Sequence, residues 1–549
     1  MSIHRASEHA YLTYDRDPEA QAFMNADMRG GFDGDKDSYT VSEAAWQIIR
    51  GEPGWGVLGQ SYTVSYGFRA SAPSRMPDDT GGFSRFNSNQ IAQAELAFAG
   101  WSDVAQITFV RQGAGVAGEG AYTDSATILL GNYSSGSDGA SAFGYYPGDP
   151  RPSSSSGDVW VNSTFNSNLS PVTFNYGSHV LVHEIGHTIG LAHPSEYNAT
   201  SGTSNTYAYQ AGYAEDDRQY TVMSYFGEFN TAGNFGGLYP AAPMLDDIAA
   251  AQMLYGANMA TRLGDTVYGF NSNAGRPWFE AASTVRVVFA VWDAGGNDTF
   301  DFSGYVSNAK IDLHPGAFSS TGGLAGNIAI AIGADIENAI GGAGADTLIG
   351  SDLGNRLLGA AGSDSLTGFA GEDFMRGDLG DDYMVGGDAW DDMHGNQGSD
   401  TLWGGDGHDW VVGGQNGDLL HGEAGNDKVY GDKGADTIYG EDGDEWIRGG
   451  QDNDLVFAGA GDDSVWGDRG DDTISGGPGL DTFYAFVGVG VDRITDFSIA
   501  EGDRVRIEGG SPFNLYQAGA DTVIDLGSDQ IILVGVNAAS LPAGSVLAI

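Results

Sequence analysis

The sequence predicts an α+β domain in its N-terminal half, followed by an all-β parallel β-roll that ends in a β-rich C-terminal cap. Two observations support this prediction. A nine-residue pattern repeats without a gap through most of the C-terminal half, and helix-like and strand-like segments mix in the N-terminal half. At about 150 residues per domain, 549 residues are enough for several domains, each with its own core.

The composition excludes several classes of function. The chain has 74 Asp and Glu against 24 Lys and Arg, a formal net charge of -50, which argues against nucleic acid as a partner. It has no cysteine, so disulfide scaffolds, thiolate metal sites and thiol nucleophiles are excluded. The strongest apolar run, residues 287–292, is far too short to span a bilayer, so we expect no membrane insertion. The first thirty residues lack the apolar run of a classical secretory signal.

The sequence of the N-terminal half predicts a mixture of helices and strands. The pattern predicts a helix near Asn89 to Trp101, strands near Ile107 to Val110 and Thr127 to Leu130, and a Ser/Gly/Pro-rich loop over residues 134–156. We expect the segment Ser141-Ala142-Phe143-Gly144 to be an edge strand, in which Ser141, Ala142 and Phe143 pair with an extended substrate through main-chain hydrogen bonds.

The chemistry is predicted by His183-Glu184-Ile185-Gly186-His187 and the residues that follow it. Residues four apart share one face of a helix, so His183 and His187 can bind one zinc ion. Gly190 allows the chain to leave the helix, so that His193 can supply a third ligand and leave a position open for water. Glu184 can then act as general base and afterwards as general acid in peptide hydrolysis.

A second motif, Thr221-Val222-Met223-Ser224-Tyr225, matches the Met-turn that lies beneath the zinc in the metzincin superfamily. By this match Met223 forms an apolar floor under the metal. The phenol of Tyr225 can reach the metal, as an additional zinc ligand, or the oxyanion of the reaction. The α+β half is therefore predicted to be a metzincin catalytic domain.

Sixteen copies of the pattern G-G-x-G-x-D-x-U-x occupy residues 341–484. The eighth position, U, is apolar in every copy, which predicts a buried stripe, and each copy should form a turn and a very short x-U-x strand. The sixth position is acidic in fifteen copies. The array holds 31 acidic and 6 basic residues, a net charge of -25, so it needs cations. Calcium fits because it takes carboxylate and carbonyl oxygens. The predicted repeat ligands are Asp364, Asp373, Asp382, Asp391, Asp400, Asp409, Asp418, Asp427, Asp436, Asp454, Asp463, Asp472 and Asp481.

Together these motifs resemble those of the serralysins, secreted zinc metalloproteases with RTX calcium repeats. The zinc motif ending in His193-Pro194, the Met-turn and residues 213–219, 245–250, 264–271, 292–300 and 336–340 carry the resemblance. The resemblance implies a monomeric extracellular endopeptidase of broad specificity, made with a prosegment and exported by a type I secretion system that reads a C-terminal signal. It also implies calcium ligands at the head of the roll: Arg262, Gly264, Thr266, Asp293, Gly295, Gly296, Asp298, Asp335, Glu337, Gly342, Gly344 and Asp346.

The expected organisation has five parts. Residues 1–38 form a prosegment, 39–260 the catalytic domain, 261–340 a β-rich junction, 341–484 the calcium roll, and 485–549 the cap with the secretion signal. Protein or peptide substrates and the secretion machinery are the expected partners, and a proteinaceous inhibitor is left open. A calcium-dependent structural or adhesive protein with a vestigial metal site is the alternative. A secreted RTX lipase is excluded because the chain contains no G-x-S-x-G motif.

Overall fold

The structure, a computed structural model, describes residues 31–33, 36–50, 54–77, 80–136, 140–149, 157–197 and 205–549. The expected prosegment, residues 1–38, therefore lies largely outside the described residues. Its last part forms an antiparallel pair of strands, β1 (Gly31–Asp33) and β2 (Lys36–Ser38). Within the described ranges no helix is long and apolar enough to cross a membrane.

The N-terminal half is an α+β domain built on one five-stranded sheet, as predicted. The strands lie in the order β4-β3-β5-β7-β6, and only β6, at the edge, runs antiparallel to its neighbour. The strands are β3 (Tyr62–Phe68), β4 (Ile107–Arg111), β5 (Ile128–Tyr133), β6 (Ala142–Gly144) and β7 (Val159–Asn162). The helices described in the chain are α1 (Val41–Ile49), α2 (Ser88–Val104), α3 (Asn166–Leu169), α4 (Tyr176–Thr188), α5 (Tyr207–Gln210) and α6 (Leu245–Tyr255).

Helix α2 connects this sheet to the helix that bears the zinc motif. It begins with a capping box, in which the Asn87 side chain accepts from the Gln90 N–H and the Gln90 side chain accepts from the Asn87 N–H. Trp101 on its buried face is fully shielded from solvent and donates its indole N–H to the Val182 carbonyl in α4, at 3.1 Å. This contact fixes α4 against the domain core.

The C-terminal half is a β-roll made of two sheets of 13 strands each, in which the strands pair in parallel except within residues 514–533, where three strands of the second sheet pair antiparallel. The first roll sheet contains β8 (Val267–Gly269), β10 (Thr299–Asp301), β14 (Asn338–Ile340), β16 (Arg356–Ala361), β18 (Phe374–Leu379), β20 (Asp392–Gln397), β22 (Trp410–Gln415), β24 (Lys428–Lys433), β26 (Trp446–Gln451), β28 (Ser464–Arg469), β30 (Thr482–Ala485), β32 (Arg504–Ile507) and β36 (Val546–Ala548).

The second roll sheet contains β11 (Lys310–Asp312), β15 (Thr347–Ile349), β17 (Ser365–Ala370), β19 (Tyr383–Asp388), β21 (Thr401–Gly407), β23 (Leu419–Gly425), β25 (Thr437–Asp442), β27 (Leu455–Ala460), β29 (Thr473–Ser475), β31 (Val491–Ile494), β33 (Asn514–Ala518), β34 (Asp521–Asp525) and β35 (Gln530–Leu533). A separate small sheet joins β9 (Phe289–Val291), β12 (Phe318–Ser319) and β13 (Ile328–Ile330). The strands that flank the repeat array thus continue the same two roll sheets on both sides.

Successive repeats alternate between the two roll sheets, so one turn of the roll takes two repeats, or 18 residues. Leu366, for example, pairs with Met384 and Met384 with Leu402. The apolar eighth positions are at most 3% exposed, which confirms the predicted core stripe. The strands are longer than the expected x-U-x triplet, with six or seven residues from β16 to β28. A residue of positive φ, such as Asn396 at 75°, bends each of these strands, and pairing with the neighbouring turn continues beyond the bend.

Candidate metal centre

Two of the predicted zinc ligands lie on α4. The helix begins at an Asn175 cap, whose side chain accepts from the Ser178 N–H, and it is buried along almost its whole length. His183 and His187 lie one turn apart on one face of it. The chain leaves the helix at Gly190, whose φ of 103° lies in the left-handed region that glycine adopts most easily. The turn brings His193 back towards the two histidines.

The three histidines converge through their Nε2 atoms. The Nε2 atom of His193 lies 3.2 Å from that of His183 and 3.2 Å from that of His187. These residues form the group of three metal-binding side chains found in the described part of the chain, with all ligand atoms within 4.8 Å of one another. Such spacing is what three nitrogens around one tetrahedral ion require.

The other ring nitrogen of each histidine faces a backbone carbonyl. His183 Nδ1 lies 2.8 Å from the Val222 oxygen, His187 Nδ1 2.7 Å from the Leu191 oxygen, and His193 Nδ1 3.0 Å from the Tyr197 oxygen. A carbonyl only accepts, so each Nδ1 must carry the proton and each Nε2 a lone pair.

The electrostatics of the three rings also fit a metal. Burial lowers the pKa of His183 to about 4 and that of His187 to about 3, and it holds the pKa of His193 well below its usual value. The imidazoles are therefore neutral at physiological pH and repel no cation. Three neutral, oriented nitrogen donors suit zinc and leave its fourth position for water.

Glu184 lies beside these ligands in a buried position. Burial raises the pKa of its carboxyl group to about 8, and a hydrogen bond from the Gly144 N–H partly opposes that rise. The other carboxylate oxygen, Oε2, has no hydrogen-bond partner among the described residues. The side chain thus combines one anchored oxygen with one oxygen available to a reactant.

The segment that we expected to bind substrate lies next to Glu184 as strand β6. Ser141, just before the strand, accepts at its carbonyl from Asn162 of β7, at 2.9 Å. Ala142 and Gly144 lie opposite Val161 and Val159, between the hydrogen-bonded pairs of the antiparallel ladder, so their main-chain groups point away from β7. Phe143 packs against Tyr133, with ring centroids 5.4 Å apart. The outer edge of β6 is therefore directed at the helix that bears the metal ligands.

The close approach of β6 to α4 depends on Gly144. A Cβ atom at this position would lie 2.5 Å from the Glu184 carbonyl oxygen and 3.2 Å from the His187 Cβ. Only a residue without a side chain fits there. Nothing in the local sequence marks Gly144 for this role, because its neighbours in space are forty residues away along the chain.

Met223 packs against α4 and is completely buried. A Cβ atom on Gly186, in the middle of the zinc motif, would lie 2.6 Å from the Met223 sulfur, so the turn packs directly against the helix. Asp247 of α6 holds this turn by accepting from the Val222 N–H at 2.7 Å, the Met244 N–H at 2.9 Å and the Thr221 hydroxyl at 2.5 Å.

Tyr225 lies at the edge of the histidine group and is 36% exposed. Its ring centroid is 4.4 Å from that of His193 and 5.8 Å from that of His183. The loop beside it is anchored by the buried Asp216, which accepts from the hydroxyls of Tyr197 at 2.7 Å and Ser224 at 2.8 Å.

Arg50, which follows α1, fixes the third ligand from outside. Its guanidinium donates to the carbonyls of His193 at 2.8 Å and Pro194 at 3.4 Å. Sequence reasoning assigned no role to Arg50, Gly186, Asp216 or Asp247, and it placed Gly144 in the edge strand without a reason for glycine there. Asp216 and Asp247 fall within segments that carried the family resemblance, and that resemblance was the available signal for them.

The residues expected to bind calcium at the head of the roll lie in neighbouring loops. Asp298 accepts from the Thr266 N–H at 2.7 Å through Oδ1, while its Oδ2 has no partner among the described residues. The Asp298 N–H donates to Glu337 at 2.6 Å. Burial raises the pKa of Glu337, and the nearby Asp335 carboxylate adds to that rise. Asp293 accepts from the Gly295 N–H at 3.1 Å.

The other expected calcium ligands at the head of the roll lie at close backbone approaches or form hydrogen bonds with neighbouring residues. A Cβ on Gly296 would lie 2.8 Å from the Gly264 carbonyl, and one on Gly362 would lie 2.2 Å from that of Gly344. Arg262 has a φ of 49° and uses its guanidinium to donate to the Trp292 carbonyl at 2.5 Å. Unlike the later repeats, Asp346 accepts with both oxygens, from Gly342 and Ala309, each at 2.6 Å.

The acidic sixth positions of the repeats share one arrangement. From Asp364 onward, the Oδ1 atom of each Asp at this position accepts the backbone N–H of the residue 18 positions earlier, as Asp400 does from Asp382 at 2.8 Å. The Oδ2 atoms are buried and have no partner among the described residues in Asp364, Asp373, Asp382, Asp391, Asp400, Asp409, Asp418, Asp427, Asp436, Asp454, Asp463, Asp472 and Asp481. Burial raises the pKa of Asp364 to about 6 and that of Asp391 to about 8. A row of buried oxygens without donors suits hard cations such as calcium.

The fold and the histidine site define a metallopeptidase domain joined to a parallel β-roll. Two protein families match the sequence: the one described as Metallo-peptidase family M12 over residues 106–234, and Peptidase M10 serralysin C terminal over residues 257–508.

Two curated relatives give the family. Metalloprotease AprA of Pseudomonas entomophila (strain L48) is 48% identical over 343 residues, which are 60% of this chain and 68% of that protein. Serralysin G of Dickeya chrysanthemi is 48% identical over 328 residues, which are 58% of this chain and 66% of that protein. The chain belongs to the serralysin family of metalloproteases. A solved extracellular lipase, LipA of Serratia marcescens, is 19% identical over 37% of this chain and 40% of that chain, with a TM-score of 0.18, too low to bear on the argument.

Proposed function

We propose that this protein is an extracellular zinc-dependent endopeptidase that hydrolyses peptide bonds in proteins with broad specificity. The observation that carries the proposal is the convergence of three neutral Nε2 atoms beside a buried carboxylate. His183, His187 and His193 would hold the zinc. When bound, zinc lowers the pKa of water towards about 7 and polarises a carbonyl group.

The residues of the chain supply the proton transfers and the positioning. Glu184, whose ionised form a cation bound to the histidines would favour, takes the proton of the attacking water at its unpartnered Oε2 and passes it to the leaving amine. The hydrogen bond from Gly144 keeps this carboxylate pointed at the reacting groups. Tyr225, beside His193, is placed to donate its phenolic proton to the developing oxyanion or to bind the zinc.

The edge of β6 would bind the substrate backbone. The main-chain groups of Ala142 and the carbonyl of Gly144 point away from β7, and an extended peptide can add to such an edge as a further strand. Main-chain hydrogen bonds do not depend on side-chain identity, which supports broad specificity.

The test of this function is casein hydrolysis by the calcium-loaded protein and its Glu184→Gln variant. We expect a loss of about 10² to 10⁴-fold in kcat/KM, because the general base is removed while the shape of the side chain is kept. Zinc content, measured by elemental analysis, should not change. Glu119→Gln, at an exposed ion pair, is the matched control and should keep wild-type activity. A wild-type protein that binds zinc but cleaves no casein would favour the structural or adhesive alternative.

Calcium is proposed to fold the roll. The buried Oδ2 atoms lack donors, and the carboxylates repel one another unless cations lie between them. A low-calcium cytosol would then keep this half unfolded until export, which fits a type I secretion route with its signal within residues 485–549. Chelation of calcium should abolish the far-UV β signal of the roll, and an unchanged spectrum would contradict the proposal.

A further inference from the structure

One turn of the roll departs from the hydrogen-bond pattern of the others. Between residues 346 and 463 the sixth position of the repeat occurs fourteen times, and thirteen of these residues donate their backbone N–H to the carboxylate 18 residues later. Asp427 is the exception, because its N–H has no acceptor among the described residues. The residue 18 positions after it is Glu445, the single glutamate at a sixth position.

The additional methylene group of Glu445 accounts for the missing hydrogen bond. Asp409 occupies the same position two turns earlier, and a Cβ on the nearby Gly404 would lie 2.7 Å from its Oδ2. A Cβ on the equivalent Gly440 would lie 3.0 Å from the Glu445 Cγ, so a methylene group lies where the aspartate has a carboxylate oxygen. The Glu445 carboxyl group is displaced and does not accept from the N–H of Asp427.

The displaced carboxyl group is buried among other carboxyl groups. Glu445 is 2% exposed, and neither of its oxygens has a donor among the described residues. It lies within hydrogen-bonding reach of the Asp463 carboxyl group in the next turn. The charged groups that act on it most strongly are those of Asp463, Asp427 and Asp444, and all three are acidic. Buried carboxylates without donors require a cation to balance their charge.

The regular turn that ends at Asp409 uses its carboxylate differently. Asp409 Oδ1 accepts the N–H of Asp391 at 2.9 Å, and only Oδ2 is without a donor in the described part of the chain. This hydrogen bond does not depend on an ion. Glu445 can offer both oxygens to an ion, but without an ion these two oxygens and the Asp427 N–H all lack a partner.

We propose that Glu445 and Asp463 bind calcium in a site unlike the regular repeat sites, in which a second carboxylate oxygen replaces a backbone hydrogen bond. The inference rests on the proposed calcium-dependent folding of the roll, and Glu445 is not among the ligands predicted from the sequence. Each turn of a roll contacts mainly its neighbours, so the effect is local. The turn of residues 427–445 depends more strongly on calcium than the turn of residues 391–409, and the roll opens there first as calcium falls.

The test is hydrogen–deuterium exchange of the full-length protein, followed by mass spectrometry, at free calcium concentrations set by a chelator. In saturating calcium the turns of residues 427–445 and 391–409 should exchange at similar rates, because the second oxygen offsets the missing hydrogen bond. In limiting calcium residues 427–445 should exchange about five- to tenfold faster than residues 391–409, because one hydrogen bond fewer holds that turn closed.

Two variants reverse the difference between the turns. Glu445→Asp gives the Asp427 N–H an acceptor, so in limiting calcium residues 427–445 should exchange as slowly as residues 391–409. The matched control is Asp409→Glu, which makes the opposite change two turns earlier and should cause residues 391–409 to exchange early. Glu445→Asp restores the regular pattern and decides the matter should Asp409→Glu fail to fold.

Early opening of residues 427–445 in the wild type that Glu445→Asp abolishes would support the proposal. Uniform opening of the roll, or early opening that persists in Glu445→Asp, would overturn it and leave calcium-dependent folding intact. Exchange that does not change with calcium anywhere in residues 341–484 would contradict calcium-dependent folding itself, and this inference with it.

Discussion

The strand next to the Glu184 carboxyl group can be displaced by a single methyl group. A Cβ at Gly144 would lie 2.5 Å from the Glu184 carbonyl oxygen, whereas ordinary van der Waals contact begins at 3.4 Å. The Gly144→Ala variant must therefore move β6 from α4 by 3.4 minus 2.5, or 0.9 Å. Misplacement of about 1 Å in an active site can cost about 10²-fold in rate, and we expect a loss of that size in kcat/KM.

The assay is cleavage of a fluorogenic peptide by the calcium-loaded protein, with zinc content and thermal unfolding measured in parallel. The zinc content should be that of the wild type, because the carbonyls that orient the three histidines do not belong to β6. The matched control is Gly120→Ala, where the nearest atom to an added Cβ is 3.9 Å away. Full activity of a folded, zinc-loaded Gly144→Ala protein would refute the role assigned to this contact.

Three further predictions concern stability. Asp247→Ala leaves the N–H groups of Val222 and Met244 without their acceptor, so it should lower the free energy of unfolding by about 3 kcal/mol. Thermal unfolding measures this change, and an unchanged unfolding temperature would contradict the prediction. Leu420→Ala, in the fully buried stripe, should cost about 2–5 kcal/mol in denaturant unfolding, while Val487→Ala, 55% exposed, should cost less than about 0.5 kcal/mol. In calcium-free solution the roll should gain β circular dichroism as the pH falls from about 8 to 5. Burial raises the pKa of repeat carboxylates such as Asp364 and Asp391 to about 6 and about 8, so the folded state binds more protons than the unfolded state and is stabilised by acid. A circular dichroism signal that rises with pH would contradict this prediction.

The helices and strands whose own apolar residues recur at regular spacing were predictable from the sequence. The helix expected near Asn89 to Trp101 is α2, the strand expected near Ile107 to Val110 is β4, and the strands of the roll follow the nine-residue period. In each case the pattern of apolar residues within the segment determines which side is buried.

Contacts between distant segments were not predictable in the same way. Helices α1 and α6 gave no strong local signal, yet α1 is followed by Arg50, which fixes the third histidine, and α6 carries Asp247, which holds the Met-turn. The need for glycine at Gly144 and Gly186 arises only when β6 and the Met-turn pack on α4. The six-residue strands exceed the expected triplets because pairing with neighbouring turns continues past the bend.

The 18-residue turn limits how this protein can change in length. A deletion of one repeat would transfer every later strand to the opposite sheet. A deletion or duplication of two repeats returns each strand to its own sheet, with a carboxylate again opposite the N–H 18 residues before it. The roll can therefore be lengthened or shortened by whole turns of two repeats, and the contacts of the N-terminal domain and of the final strands with their neighbours are then unchanged.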